Sequence, residues 1–355
     1  MSASTRALPL STPESPPSRL AIPSLATAWM VACRSEDLGQ ALPIARVLNG
    51  IPVVLFRAAD GRASALEDRC PHKNVALSLG RVMHGTLECR YHGWKLAPDG
   101  AVVDVPCHAP DERLPTCKAP AFEVRERDGW IWCSLGRSSE EPPRWERHDG
   151  YGWFELDYMV NAPMDLVLEN GLDCSHTGFA HEGLFRSAPT QFAAVNLEET
   201  PTGVRIETVE EEARRRWDVR RVLGGRREIR HVDEIVLPHT LRVDYRIGTG
   251  VHVITIMVCT PETPERTRVH NRMGVRHGAL TPLVTRYVKW LTRKVVAQDV
   301  AVLESQAERI RQFGERSFRG VTADLPAAWY QRAGRRATRG AADRPLEHRR
   351  IEYRL

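Results

Sequence analysis

The chain has 355 residues, of which 42% are hydrophobic and 27% are charged, and its formal net charge is +5. This length predicts about two domains with a sizeable core, and the scattered basic residues form no recognised nucleic-acid-binding motif, although their excess favours an acidic redox partner. No apolar run approaches the roughly 18 residues of a membrane span and no secretory signal is visible, so we expect a cytoplasmic protein whose eight cysteines are thiols or metal ligands.

The first part of the chain has the pattern of a small all-β domain. Residues 1–22 are rich in Ser, Thr and Pro, which predicts a disordered leader. Over residues 23–137, short apolar runs alternate with turn residues, and Asp60-Gly61 and Asp99-Gly100 mark the turns of two predicted β-hairpins. A linker rich in Pro and charged residues follows at 138–150.

A second domain is predicted over residues 151–320, and it combines helices with antiparallel strands. A short helical stretch comes first, and alternating apolar residues over 200–275 then predict the strands. Apolar residues at helical spacing predict a long helix from Pro282 to Phe313, and the Arg-rich segment 321–355 is interpreted as a basic C-terminal tail. The predicted fold class is therefore α+β.

Two mixed pairs of metal-binding residues lie in the all-β domain. Cys70 and His72 form the first pair, and Cys89 and His92 form the second after an interval of sixteen residues. Two such pairs on neighbouring β-loops suit a [2Fe–2S] cluster, in which thiolates hold one iron and neutral imidazoles hold the other. A zinc site is the alternative, but zinc sites usually group two cysteines together and two histidines together.

A second set of candidate ligands lies in the helical stretch that opens the second domain. At about 100° per residue, Asn170 and His176 flank Asp173 by roughly 60° on either side and would share one helix face. His181 would lie about 140° from His176 on an ideal helix, too far round to share a metal ion. We therefore expect the helix to break or bend, and Gly178 is the position where we expect it to do so.

A carboxylate from elsewhere in the chain would complete this second set. Two histidines and one carboxylate form the facial triad of Fe(II) enzymes that activate oxygen, because this triad leaves coordination positions open. The predicted long helix offers Asp299 and Glu304, which lie five positions apart and therefore point in different directions.

The two sets of motifs together resemble those of Rieske non-haem iron oxygenases. The matching segments are CPH at 70–72, CRYHGW at 89–94 and ENGLDCSHTGFAH at 169–181. Rieske proteins of respiratory complexes carry an extra cysteine in each cluster loop, which would fall at Val75 and near Arg90 or Tyr91, and this chain has neither. The chain looks closest to the vanillate O-demethylase and dicamba-demethylase branch of the oxygenase (α) components.

The resemblance implies a fold, a set of cofactors and an assembly. The fold would be an N-terminal all-β Rieske domain followed by a C-terminal helix-grip domain, in which an antiparallel sheet holds a long helix. The cluster would be held by Cys70, His72, Cys89 and His92, and mononuclear Fe(II) by His176, His181 and Asp299, with Asn170 close to the iron. A homotrimer would bring His92 of one subunit next to Asp173 of another, and Asp173 would link it to His176.

The resemblance also implies the reaction. The chain would be a terminal oxygenase that uses O2 as co-substrate and takes electrons from a separate reductase or ferredoxin. NAD(P)H would act only through that reductase, because this chain has no dinucleotide-binding fingerprint. Hydroxylation or oxidative demethylation of an aromatic or apolar small molecule is favoured over cis-dihydroxylation, since dihydroxylating α subunits are commonly longer than this chain.

Several alternatives stay open at this point. They are a cis-dihydroxylating ring dioxygenase, an oxidase of a larger apolar substrate such as a sterol or tetrapyrrole, and a Rieske electron carrier without oxygenase chemistry. The basic amphipathic segment TPLVTRYVKWLTRKVV could also contact a membrane, but packing against the core is the preferred interpretation.

Overall fold

A computed structural model describes most of the chain. The described residues are 25–109, 111–138, 140–144, 146–182, 184, 192–210, 229–248, 250–314, 318–339 and 345–354. The predicted disordered leader, residues 1–22, lies outside them.

The first domain consists of two small antiparallel sheets. Its strands are β1 (Met30–Arg34), β2 (Ile44–Leu48), β3 (Ile51–Arg57), β4 (Ala63–Glu67), β5 (Arg81–Met83), β6 (Thr86–Glu88), β7 (Lys95–Leu96), β8 (Val102–Asp104), β9 (Ala121–Arg127) and β10 (Trp130–Ser134). A six-stranded sheet has the order β1-β10-β9-β4-β3-β2, and a four-stranded sheet has the order β5-β6-β7-β8. Both predicted hairpins are present, β3–β4 and β7–β8, and their turns contain Gly61 and Gly100 at φ values of 81° and 82°.

The second domain is an eight-stranded antiparallel sheet covered by helices on one face. Its strands are β11 (Gly152–Val160), β12 (Phe192–Thr200), β13 (Gly203–Glu210), β14 (Ile229–Val236), β15 (Thr240–Ile247), β16 (Val251–Thr263), β17 (Arg266–Arg276) and β18 (His348–Arg354). The sheet order is β11-β17-β16-β15-β14-β13-β12-β18. The helices are α1 (Met164–Leu172), α2 (Thr177–Ala180), α3 (Thr281–Phe313) and α4 (Leu325–Arg339). The α+β fold class is confirmed, and the predicted long helix is α3.

The two faces of the eight-stranded sheet pack against different parts of the molecule. Successive side chains of a strand point to opposite faces. On β16, Ile254 and Ile256 are buried against Trp130 and Trp132 of the first domain. Met257, on the other face, joins the core that the helices cover. The sheet therefore stands between the first domain and the helices of the second.

The segment 321–355 was interpreted from the sequence as a basic tail, and that interpretation is wrong, because its described residues 321–339 and 345–354 belong to the folded second domain. Helix α4 buries Trp329 and Tyr330 in the main core. Strand β18 pairs with β12 at the edge of the sheet, and alternate residues Ile351 and Tyr353 face inward. Arg350 and Arg354 occupy outward positions of β18, and Arg336 of α4 pairs with Glu199, whose side chain is 2% exposed. The charged residues therefore obscured an alternating strand pattern.

The basic amphipathic segment forms the first half of α3. Val284 and Val288 are buried and pack with Phe154 of β11, while Leu283 and Trp290 on another side are exposed. Packing against the core, the preferred interpretation, thus accounts for one face of the helix. In the part of the chain that the structure describes, no helix is both long and apolar enough to cross a membrane.

The contact between the domains includes the buried guanidinium of Arg272, which donates to the carbonyl of Asp128 in the first domain. Its carboxylate partner gives a test of the fold. Arg272 has 2% side-chain exposure and donates to Glu155 Oε1 through Nε at 2.9 Å and Nη2 at 2.6 Å. Glu155→Ala would leave this charge buried without its carboxylate, so we expect the free energy of unfolding to fall by about 3 kcal/mol in urea titrations. Glu36→Ala is the control, because Glu36 is 78% exposed and lies 3.8 Å from Arg34, and we expect it to cost less than about 1 kcal/mol. Equal losses in the two variants would contradict the interpretation.

Candidate metal centres

The two loops that carry the predicted cluster ligands have the same backbone geometry. The first follows β4, and the second joins β6 to β7. In each loop the cysteine amide donates to the carbonyl five residues ahead at 2.8 Å, and the amide four residues ahead donates back to the cysteine carbonyl at 2.9 Å. The residue four positions after Cys70 and Cys89 has a left-handed backbone, with φ values of 58° at Asn74 and 71° at Gly93. These are residue types that tolerate this conformation.

The loops bury both thiols, whereas His92 is exposed and His72 is partly exposed. Cys70 and Cys89 are both 2% exposed. Burial, together with the neighbouring Cys89 thiol, raises the pKa of Cys70 to about 11. The rings of His72 and His92 lie 4.6 Å apart, and the Trp94 indole stacks on His72 at 4.4 Å with an interplanar angle of 4°. Trp94 belongs to the CRYHGW motif, but its stacking on His72 was not predicted from the sequence.

This arrangement fits a [2Fe–2S] cluster with mixed ligands. Such a cluster needs two thiolates on one iron and two imidazoles on the other, and the loops hold one adjacent pair of each kind. A metal ion displaces the proton of a thiol that is otherwise held protonated by burial. The residues present could therefore hold the cluster as the sequence predicts.

The second site is built around a break between two helices. Helix α1 ends at Leu172, and the Asp173 side chain accepts hydrogen bonds from the amide and hydroxyl of Ser175 at 2.7 and 2.6 Å and from the amide of His176 at 3.3 Å. Such side-chain-to-backbone bonds compete with helix continuation. The break was predicted at Gly178, and this position is wrong, because Gly178 lies within α2.

The break brings two imidazoles together with a carboxylate from α3. Nε2 of His176 lies 3.4 Å from Oδ1 of Asp299, and Nε2 of His181 lies 3.1 Å from the same oxygen. One ligand atom from each residue lies within 4.8 Å of the other two. Glu304, the other candidate carboxylate, instead accepts hydrogen bonds from the backbone and side-chain amides of Asn161 at 3.0 and 2.7 Å.

Charge and hydrogen bonding orient these groups. Burial lowers the pKa of His181, but Asp299 and Gln298 outweigh it and raise the pKa overall. Burial raises the pKa of Asp299, and the two imidazoles outweigh it, so this pKa lies below its usual value. Nδ1 of His181 lies 2.9 Å from Oε1 of Gln298, which leaves Nε2 directed at Asp299. Second partners of this kind fix the orientation of ligating histidines.

The donor set fits a mononuclear Fe(II) ion. Two imidazoles and one carboxylate converge, which is the ligand set of the facial triad. Oδ1 of Asp299, which faces both imidazoles, is buried and makes no hydrogen bond of normal geometry to any described residue. Buried polar atoms are rarely left in this state, and a bound ion is one of the usual reasons.

An open groove runs past this site to the molecular surface. Its volume is about 1960 Å³, and Asn170, Asp173 and His176 contribute to its lining. Oδ2 of Asp173 lies 3.7 Å from Nδ1 of His176, and the Asp173 side chain is 35% exposed. The three residues predicted to share a helix face thus share the groove, although only Asn170 is in α1.

A further cluster, which was not predicted from the sequence, lies beside this site. Cys174, His231 and Asp233 also bring potential ligand atoms within 4.8 Å of one another. The only sequence signal was the spacing of two between His231 and Asp233, which puts both side chains on one face of a strand. Nothing in the sequence indicated that Cys174 would meet them.

Two family descriptions match the chain. The Rieske [2Fe-2S] domain matches residues 28–122, and the vanillate O-demethylase oxygenase C-terminal domain matches residues 160–340. The second match covers half of the chain.

Curated relatives and a solved structure are similar to this chain in sequence and in fold, respectively. TIC 55, a chloroplastic protein of Arabidopsis thaliana, is 26% identical over 79% of this chain and 53% of its own length. Chlorophyllide a oxygenase of Chlamydomonas reinhardtii is 26% identical over 86% of this chain and 47% of its own length. The chain thus spans about half the length of these curated relatives. The crystal structure of dicamba monooxygenase bound to dicamba has a TM-score of 0.75 at 20% identity, over 90% of this chain and 99% of that one, and supports the fold.

The mononuclear site can be tested by its iron content. In chains loaded with iron, His176→Ala and Asp299→Ala should lower the iron content from about three to about two atoms per chain, because each removes one of three ligands while the cluster keeps its own. Metal analysis gives the count, and the visible absorption of the cluster serves as the internal reference.

Glu304→Gln is the matched control on the same helix, since Glu304 is bound to Asn161 and does not face the site. It should keep all the iron. Full iron content in His176→Ala would contradict the assignment of this site.

Proposed function

Because the chain belongs to the family of Rieske oxygenases with a vanillate O-demethylase type of C-terminal domain, we propose that it is the terminal oxygenase of a multicomponent system. It would hydroxylate or oxidatively demethylate a small organic substrate. One atom of O2 would enter the substrate, and the other would leave as water after two electrons and two protons are supplied. The convergence of His176, His181 and Asp299, in a chain that also has the cluster loops, carries this proposal.

The residues of the chain would hold two cofactors. Cys70, His72, Cys89 and His92 would hold the [2Fe–2S] cluster, and His176, His181 and Asp299 would hold Fe(II). When bound, the cluster would supply single electrons and the Fe(II) an open coordination site for O2. Gln298 would keep Nε2 of His181 turned to the metal. A separate reductase or ferredoxin would provide the electrons, and NAD(P)H would act only through it.

The fold favours electron transfer between subunits over transfer within one chain. The first domain packs on one face of the eight-stranded sheet, and Asp299 belongs to α3 on the other face. His92 is exposed, and Asp173 and His176 line an open groove. Together with the resemblance to Rieske oxygenases, which implies a homotrimer, these positions lead us to propose a head-to-tail homotrimer in which His92 of one subunit approaches Asp173 of the next. Asp173 would then connect His92 to His176.

A space beside the metal site would hold the substrate. Val243, Val253, Thr255 and Met273 are on the helix-facing side of central strands, yet each is only half-buried. Between them, Ile254 on the opposite face is 1% exposed. From this partial exposure we infer a space between the sheet and the helices above these four residues, and this space is called here the inner space. Its mostly apolar lining suits an aromatic or apolar substrate.

The class of reaction can be read by a direct assay. The iron-loaded protein, a surrogate reductase and a panel of aromatic and larger apolar compounds would be scored for substrate-dependent O2 uptake. Products formed under isotopically labelled O2 would contain one labelled atom for monooxygenation and two for cis-dihydroxylation. A chain that is reduced but takes up no O2 with any compound would be an electron carrier, and the proposed function would be wrong.

The bridging role of Asp173 gives a second test. Asp173→Asn keeps an oxygen that can accept from Ser175 and His176, so both metals should remain. It loses the charge that would hold an imidazole of another subunit, an interaction of about 1.5–3 kcal/mol, so single-turnover electron transfer should slow by about 10- to 100-fold.

Asp165→Asn on the same helix is the control, because Asp165 binds the amide of Leu166 at the opposite end of α1. Its transfer rate should equal that of the unmodified protein. If Asp173→Asn transfers electrons as fast as Asp165→Asn, Asp173 has no bridging role.

A further inference from the structure

The cluster of Cys174, His231 and Asp233 forms a contact network between the metal-binding loop and β14. Cys174 stands two residues before His176, and its Sγ lies 3.5 Å from Nδ1 of His231. The same thiol donates to Oδ2 of Asp233 at 3.8 Å. Nε2 of His231 lies 2.8 Å from Oδ1 of Asp233. Each of the three side chains therefore contacts the other two.

The network hides Asp233 and leaves His231 partly open. The Asp233 side chain has 0% exposure, whereas His231 keeps 13%. Both point to the helix-facing side of the sheet, and their cross-strand partners on β15 are Val243 and Tyr245. The Tyr245 ring stands edge-on to His231 at 4.9 Å. Because Val243 lines the inner space, the network borders the place proposed for the substrate.

The hydrogen-bonding capacity of His231 is only partly used. Burial lowers its pKa, but Asp233 and Cys174 together outweigh burial, so this pKa lies well above its usual value. Nε2 has the Asp233 carboxylate beside it, and the Cys174 thiol directs its own proton to Asp233. Both ring nitrogens therefore have an acceptor beside them, and we assign each an N–H donor. Nε2 lies beside the Asp233 carboxylate without a hydrogen bond of normal geometry, and Nδ1 faces the Cys174 sulfur, which is a weak acceptor. An oxygen acceptor in the inner space would be a better partner.

We propose that His231 is the polar recognition point of the substrate and donates its Nδ1–H to a neutral carbonyl oxygen. This inference rests on the proposed oxygenase function. The charges of His231 and Asp233 cancel, so a carboxylate in this position would be buried without a counter-charge, which is costly. A carbonyl oxygen needs only the donor.

A purely structural tether is the competing explanation. A buried ion pair contributes little to stability compared with apolar residues of the same volume, and a tether does not require an imidazole that is open to the inner space. The sheet carries a comparable pair on its opposite face, where Nε2 of His252 lies 2.8 Å from Oδ1 of Asp244. That pair offers a matched control.

The test is the binding of three small probes to the iron-loaded, full-length protein, measured by isothermal titration calorimetry. Acetophenone has a neutral carbonyl, ethylbenzene lacks it, and benzoate has a carboxylate instead. Acetophenone should bind about tenfold more tightly than ethylbenzene, the ratio that one net hydrogen bond produces. Benzoate should bind more weakly than acetophenone. In His231→Leu the ratio of acetophenone to ethylbenzene affinity should fall to about one.

Two further variants separate recognition from structure. His252→Leu removes the pair on the opposite face and should leave the affinity ratio unchanged. Cys174→Ser offers the Nδ1–H a stronger acceptor than sulfur, so it should weaken acetophenone binding and spare ethylbenzene. This variant also serves if His231→Leu does not fold.

Three outcomes would overturn the assignment. They are an unchanged ratio in His231→Leu or Cys174→Ser, tighter binding of benzoate than of acetophenone, and no binding of acetophenone. Because the assay contains no reductase, these results are independent of O2 uptake. Loss of uptake with normal acetophenone recognition would instead count against the oxygenase proposal alone.

Discussion

The candidate iron site depends on one local interaction, the set of hydrogen bonds by which the Asp173 side chain ends α1. On a continuous helix, His176 and His181 would point about 140° apart and could not share an ion. The carboxylate of Asp173 captures the amides of Ser175 and His176, so the chain turns before it enters α2. Both imidazoles then reach Asp299. The other oxygen of Asp173 stays in the groove, so one side chain both shapes the site and faces its outer side.

The features that could be predicted from the sequence are those encoded over short distances. The cluster loops have their ligands two or three residues apart, and the long helix has an apolar repeat of its own. The spacing of the long helix left two candidates for the carboxylate ligand, Asp299 and Glu304. Spacing alone could not choose between them, and only the resemblance to the family favoured Asp299. The contact of Glu304 with Asn161, which separates the two candidates, joins residues 143 positions apart.

The predictions that failed involve competition between local patterns or contacts over long distances. Gly178 is a weak helix former, but an aspartate that can bond to the backbone ended the helix earlier. The alternation of β18 was hidden by the arginines on its outer face. The network of Cys174, His231 and Asp233 depends on β14 passing under a loop 57 residues earlier in the chain. Neither the sequence of the loop nor that of β14 contains a pattern that predicts this contact.

The contact between the two domains has a geometrical consequence for assembly. Trp130 and Trp132 are fully buried against β16, and Arg272 binds both Glu155 and the carbonyl of Asp128. The two domains of one chain should therefore move as a single rigid unit, without a hinge between them. In a ring of three such subunits, the angle between the two domains of each chain would decide whether the ring closes. The same angle would set how near the cluster of one subunit lies to the iron site of the next. The residues at this contact would then affect the distance between the cluster of one subunit and the iron site of the next, although they lie at neither site.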